Sequence, residues 1–138
     1  MEDQHPRILC AAGHHYEMGP RGSRESISAM LPEFDIKFTQ NEFDLIERAR
    51  EGGYDLILMN CTRLDGRYVR ACNIIRMFDS KTPVLFMTNS PGMSLQDAEA
   101  AGAQVVCSTS CPYFVDDVRL CARELVDRNT LIFQTKRI

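Results

Sequence analysis

No stretch of the 138-residue chain is apolar for long enough to span a membrane as a helix. The opening Met1-Glu2-Asp3-Gln4-His5 is acidic and lacks the apolar run of a signal peptide, so a cytoplasmic location is expected. Charge of one sign is also missing. Sixteen Lys and Arg against 19 Asp and Glu leave a net charge of −3, which gives no basis for binding nucleic acid or a membrane surface. Lysine is scarce, with Lys37, Lys81 and Lys136 the only three. The six cysteines (Cys10, Cys61, Cys72, Cys107, Cys111 and Cys121) form no C-x-x-C pair, which argues against a disulfide framework and against a metal site of regular spacing. What is present is ordinary for a globular domain. Hydrophobic residues make up 44% and charged residues 25%, in a chain long enough to bury a core of its own.

The chain alternates strand and helix patterns. Arg7-Ile8-Leu9-Cys10-Ala11-Ala12 is a short apolar run closed by Gly13, as in a buried first strand. Ser23 can cap a helix carrying Ile27, Met30 and Leu31, with Pro32 at its end. Phe34-Asp35-Ile36-Lys37-Phe38-Thr39 alternates apolar and polar, the pattern of a strand near a sheet edge. Asn41 can cap a second helix, with Phe43, Ile46 and Ala49 inward and Gly52-Gly53 ending it. Residues 55–59 form a strand apolar on both faces, ending by delivering Asn60 to a loop. A third helix begins near Gly66, with Ala71, Ile74, Ile75 and Phe78 on one face. Pro83 to Thr88 and Gln104 to Cys107 are the last strands, with a short helix from Ser94 to Gly102 between them. The final helix carries Phe114, Val118, Cys121 and Leu125 on one stripe.

Strands alternating with helices in this way specify an α/β fold, a parallel sheet with helices on both faces. Residues 6–128 are read as one domain. The tail, 129–138, contains Leu131-Ile132-Phe133 and is expected to be an extra strand, a dimer contact or the start of a linker. Ligands of such sheets bind beyond the carboxyl ends of the strands. Gly13, His14 and His15 fall there, with Asn60, Cys61, Thr88, Asn89 and residues 108–112.

The run Tyr54 to Asn60, then Leu64-Asp65-Gly66, Thr82-Pro83-Val84 through Thr88, Ala100-Ala101-Gly102-Ala103 and Cys111-Pro112 resembles a bacterial two-component response-regulator receiver domain. That resemblance implies a (βα)5 flavodoxin-like fold with strand order 2-1-3-4-5. It also implies a set of positions for phosphoryl chemistry. The phosphoacceptor aspartate falls on Asn60, and the paired Mg²⁺-binding acids fall on Ala12 and Gly13. The switch hydroxyl is kept as Thr88, and the lysine falls on Cys111, before Pro112. The aromatic switch falls on Val106. In the resembled family the bond before that proline is cis.

An amide has the shape of a carboxylate but not the anionic oxygen that attacks phosphorus. Nucleophile, metal ligands and cationic clamp are therefore replaced together. The expectation is a pseudo-receiver: a regulatory protein-interaction module, not an enzyme, with no cofactor and a signalling role independent of aspartyl phosphorylation. Its partner would be a protein or an output domain, with a homodimer through residues 94–128 expected; Asp116, Asp117, Arg119, Arg123 and Glu124 supply mixed charge there. The alternative is a cobalamin-like, nucleotide-like or metal ligand at the strand ends. The loop from Gly13 to Gly19 is similar to that of cobalamin-binding domains, but its spacing departs from theirs, and no G-x-G-x-x-G follows the first strand. The metal candidates are His14, His15, Glu17 and Cys61, with Cys111 able to join them. Cys107 with Cys111 is a candidate redox pair, set against inert thiols. Arg63, Arg67 and Arg70 are candidates for an anion or acidic partner, set against a solvated face.

Overall fold

The computed structural model describes residues 5–12, 24–63, 66–90, 95–107 and 113–137; the side chains of residues 12, 61–63, 66, 89–90, 95, 107 and 129–137 lie outside that description. Ten elements alternate along the chain: β1 (Arg7–Ala12), α1 (Arg24–Met30), β2 (Asp35–Thr39), α2 (Glu42–Glu51), β3 (Leu56–Arg63), α3 (Gly66–Arg76), β4 (Val84–Ser90), α4 (Leu95–Ala100), β5 (Ala103–Cys107) and α5 (Phe114–Arg137). The strands form one parallel sheet in the order β2-β1-β3-β4-β5. β2 is an edge strand, as its alternating pattern indicates.

Period-two alternation sorts the strand residues between two cores. Leu9, Ala11, Ile57, Met59, Val84 and Phe86 face α2, α3 and α4, where Leu45, Ala49, Val69, Ala71, Cys72, Ile75 and Ala98 meet them. Ile8, Cys10, Leu56, Leu58, Leu85 and Met87 face the other way, onto Ile27, Met30 and Leu31 of the α1 side and Phe114, Val118, Ala122 and Val126 of α5. β1, β3 and β4 are buried on both faces, which is why they read as unbroken apolar runs. Among the described residues no helix is long and apolar enough to cross a membrane.

Several boundaries differ from the sequence reading. Asn41 caps α2, its Oδ1 accepting from the Asp44 N–H at 2.8 Å. Gly52 closes it at φ 80°, a left-handed conformation that suits glycine, donating to Ala49 O and Arg48 O. The inward residue of the first turns is Leu45, however, and Phe43 is 74% exposed. α3 buries Val69, Ala71, Cys72 and Ile75, and ends at Arg76, before Phe78. β3 does not stop near Asn60 but continues to Arg63, because β4 runs with it: Cys61 pairs with Thr88 and Arg63 with Ser90. No glycine or proline interrupts the chain between Gly53 and Gly66, so nothing local ends the strand earlier. Residues 129–137 are the last turns of α5 rather than a further strand.

Arg76 fastens the lower end of the α3 side. Its Nη1 donates to Asp79 O (3.1 Å) and Thr82 O (2.7 Å), and its Nε donates to Ala101 O (3.3 Å). Gly102, at φ 84°, makes the turn into β5 beside that guanidinium. Asp79 organises the loop from within, accepting from Lys81 N, Thr82 N and Thr82 Oγ1. Burial by itself would raise the Asp79 carboxyl. The hydrogen bonds from Thr82 and Lys81, with the Arg76 charge, hold it below the usual carboxylate range.

Candidate functional site

The parallel register lays the carboxyl ends of the strands side by side. Ala12 pairs with Asn60, Asn60 with Met87, and Met87 with Val106, a row crossing four strands. One step further, Cys61, Thr88 and Cys107 form the next row. Asn60 and Thr88 are thus diagonal neighbours on adjacent strands. Sequence reasoning brought Ala12, Asn60, Thr88 and Val106 to this region, and the register places them together. It missed Met87, the apolar residue that completes the row.

Asn60 and Thr88 are both 0% exposed; with Thr39 they are the buried polar residues of the described core. The continuation of β3 and β4 past them explains that burial. A neutral amide and a hydroxyl can be held so far from water, where an ionised carboxylate would meet a heavy desolvation penalty. Val106 is half-buried and packs with the core under α1 and α5. Asn60, Met87 and Val106 carry no ionisable group, and neither does Thr88 in the next row. The row can accept shape and hydrogen bonds, but it offers neither an anionic nucleophile nor a cation.

Other expectations fall partly or wholly outside this geometry. Gly13, His14, His15, Glu17, Cys111 and Pro112, with the bond joining the last two, lie outside the described residues, as does the cap Ser23. Cys61 and Cys107 are placed by their backbones in β3 and β5. Among the described residues, no three His, Cys, Asp or Glu side chains gather in a way that could hold a metal ion. Burial pushes the Cys10 thiol up to about 12, opposed by the nearby Arg24 charge, and also raises Cys72 and Cys121. These three are protonated small hydrophobes at neutral pH. Of the α3 arginines, Arg67 faces Glu42 at 3.7 Å from an exposed position, and Arg70 is exposed. A cleft of about 900 Å³ lies at the opposite, amino end of the strands, lined by His5, Pro6, Arg7, Phe34, Asp35, Gly53, Asp55 and Val126. Nothing among the described residues supports a cobalamin, nucleotide or metal pocket at the carboxyl ends.

A five-stranded parallel sheet ordered 2-1-3-4-5 between two helical layers is the flavodoxin-like fold, in the form found in response-regulator receiver domains. Solved structures carry the same arrangement over most of their length. A CheY-like receiver domain protein from Methanospirillum hungatei superposes with a TM-score of 0.73 at 12% identity, covering 92% of this chain and 98% of its own. The receiver domain of a sensor histidine kinase from Pseudomonas aeruginosa, solved with magnesium in its active-site cleft, gives 0.69 at 18% identity, covering 90% and 99%. A two-component response regulator from Clostridium difficile gives 0.68 at 20% identity, covering 89% and 97%. At these identities the likeness is one of fold. The sequence matches no family model and no curated protein.

Proposed function

We propose that this chain is a pseudo-receiver: a cytoplasmic regulatory module of the two-component type that works through protein contact, without aspartyl phosphorylation and without catalysis. The observation carrying this reading is the uncharged row at the strand ends. Asn60 stands where a receiver has its phosphoacceptor, fully buried between β1 and β4. The Pseudomonas neighbour holds magnesium in its cleft, and a hard cation of that kind needs oxygen ligands, carboxylates above all. Ala12 and Gly13 have no side-chain oxygen, so these residues do not fit the ion. Thr88 keeps the hydroxyl of the switch position, Cys111 stands for the lysine, and Val106 stands for the aromatic switch.

The surface proposed for a protein partner, an output domain or a second copy spans residues 94–128. Its described part exposes Tyr113, Val115 and Leu120 among the charges of Asp116, Asp117, Arg119 and Glu124. The reading is tested by incubating the protein with a small phosphodonor and millimolar Mg²⁺ and measuring bound phosphate by intact mass. No covalent phosphate is expected on any carboxylate. A stoichiometric acyl phosphate would refute the reading.

A further inference from the structure

β2 is one edge of the sheet, and among the described residues no strand pairs with its outer side. Asp35 turns its backbone inward, its N–H donating to Pro6 O at 2.9 Å. Backbone groups alternate in direction along a strand, so Ile36 and Phe38 present their N–H and C=O groups outward. A row of this kind is a template for another strand. The side chains of Ile36 and Phe38 are only half-buried against the core under α1 and α5, so apolar surface also stops short at this edge.

The charges of β2 select a partner. Asp35 and Lys37 are exposed and lie on the other face of the strand from Ile36 and Phe38. A lysine in the middle of an edge strand ordinarily discourages pairing. Here the acid two residues before it makes one register with a second β2 favourable. Antiparallel pairing centred on Lys37 would set two lysines opposite each other. Centred on Ile36, it sets each Asp35 opposite a Lys37, and each Phe34 opposite a Phe38. Directly opposite residues stand about 4.5–5.5 Å apart at Cβ, within reach of an ion pair. Ile36, whose backbone faces outward, is then the residue that exchanges both hydrogen bonds with its counterpart, and Asp35 and Lys37 fall in the closer, non-hydrogen-bonded positions. Asp35 is accessible for this, because its side chain is 68% exposed and its pair with Arg7 is long, at 3.9 Å. The other edge strand, β5, carries no charged residue over Ala103–Cys107 and so selects no register in this way.

From the free edge and its charge pattern we propose that a second copy of the chain pairs with β2, antiparallel, about a two-fold axis at Ile36. The two five-stranded sheets join into one, and an isologous pairing of this kind closes on itself. On the α1 side Ile36 meets its counterpart, flanked by Phe34 against Phe38. On the α2 side two Asp35–Lys37 pairs bracket the axis. The proposal rests on the fold and the charges of β2, not on the absence of phosphorylation. It assigns the second copy to β2 and leaves the surface of residues 94–128 to a different protein.

Sedimentation of the full chain over a concentration series tests it, and a reversible dimer is expected. Ile36→Pro removes the outward N–H without touching the bonds between β2 and β1, and should leave a monomer with native far-UV circular dichroism. The exposed charges give a second reading that does not depend on how the fold tolerates proline. Asp35→Lys and Lys37→Asp should each weaken association about three- to ten-fold, because the two-fold axis repeats the like-charge contact. Combined in one chain they should restore most of the loss, as a charge pair does in a double-mutant cycle. A monomer at every concentration would overturn the proposal. So would a dimer indifferent to the single charge reversals, one that the combined reversal fails to restore, or one broken instead by Leu120→Asp. Phosphoprotein stoichiometry, measured separately, reads the functional proposal without touching this one.

Discussion

Asn60 is the residue on which the functional reading turns, and its environment argues against a simple return to the receiver pattern. Introducing Asp there would place a carboxylate at a position with no solvent exposure, where desolvation raises its pKa. Asn60→Asp is expected to destabilise the fold by about 2–4 kcal/mol at neutral pH. Because the folded pKa would lie above the unfolded one, the penalty should shrink as pH falls. The variant should still take up no phosphate, since Ala12 and Gly13 offer no side-chain oxygen to ligate Mg²⁺. Thermal melts at two pH values and intact mass check both parts. Asp79 shows the opposite sign. Its folded pKa is lowered, so its contribution is fully present above the unfolded carboxylate range and is lost as pH falls through the folded value. Asp79→Asn should lower neutral-pH stability by about 1 kcal/mol and flatten the acid limb of stability against pH; an unaltered acid limb would count against this account.

The elements were legible where periodicity and punctuation agreed. α2 is bounded by Asn41 and Gly52, both readable as caps. Its buried face was harder, because Phe43 and Leu45 are both apolar and only packing against α3 and the sheet chooses between them. The choice has a measurable consequence. Leu45→Ala should cost about 2–5 kcal/mol, and Phe43→Ser should stay within about 0.5 kcal/mol, as denaturant midpoints will show. If the two effects were reversed, the described helix face would be wrong. The end of β3 was misjudged for a related reason. Strand length is set by a partner, and residues 61–63 gain theirs only because β4 continues to Ser90.

Across the whole molecule, two apolar layers hold a sheet with a row at its strand ends, Ala12, Asn60, Met87 and Val106, that carries no ionisable group. On the proposed reading, with Ala12 and Gly13 at the positions of the paired acids, the protein should gain nothing from the ion that the Pseudomonas structure holds in its cleft. Binding to the native state raises stability with the logarithm of ligand concentration, so the melting temperature should be flat across a millimolar Mg²⁺ series at constant ionic strength. A logarithmic rise would show a site that the described residues do not contain.

Alternating strand and helix periods, with parallel strands buried on both faces, left little freedom in the architecture, and the resemblance drew Asn60, Ala12 and Val106 to the strand ends before any coordinates. Local patterns can do this because each depends on neighbours a few residues away. The row that joins Ala12, Asn60, Met87 and Val106 and the burial of Asn60 depend on register and on element lengths. Those are set by contacts between segments distant in the chain, and no window along it contains them.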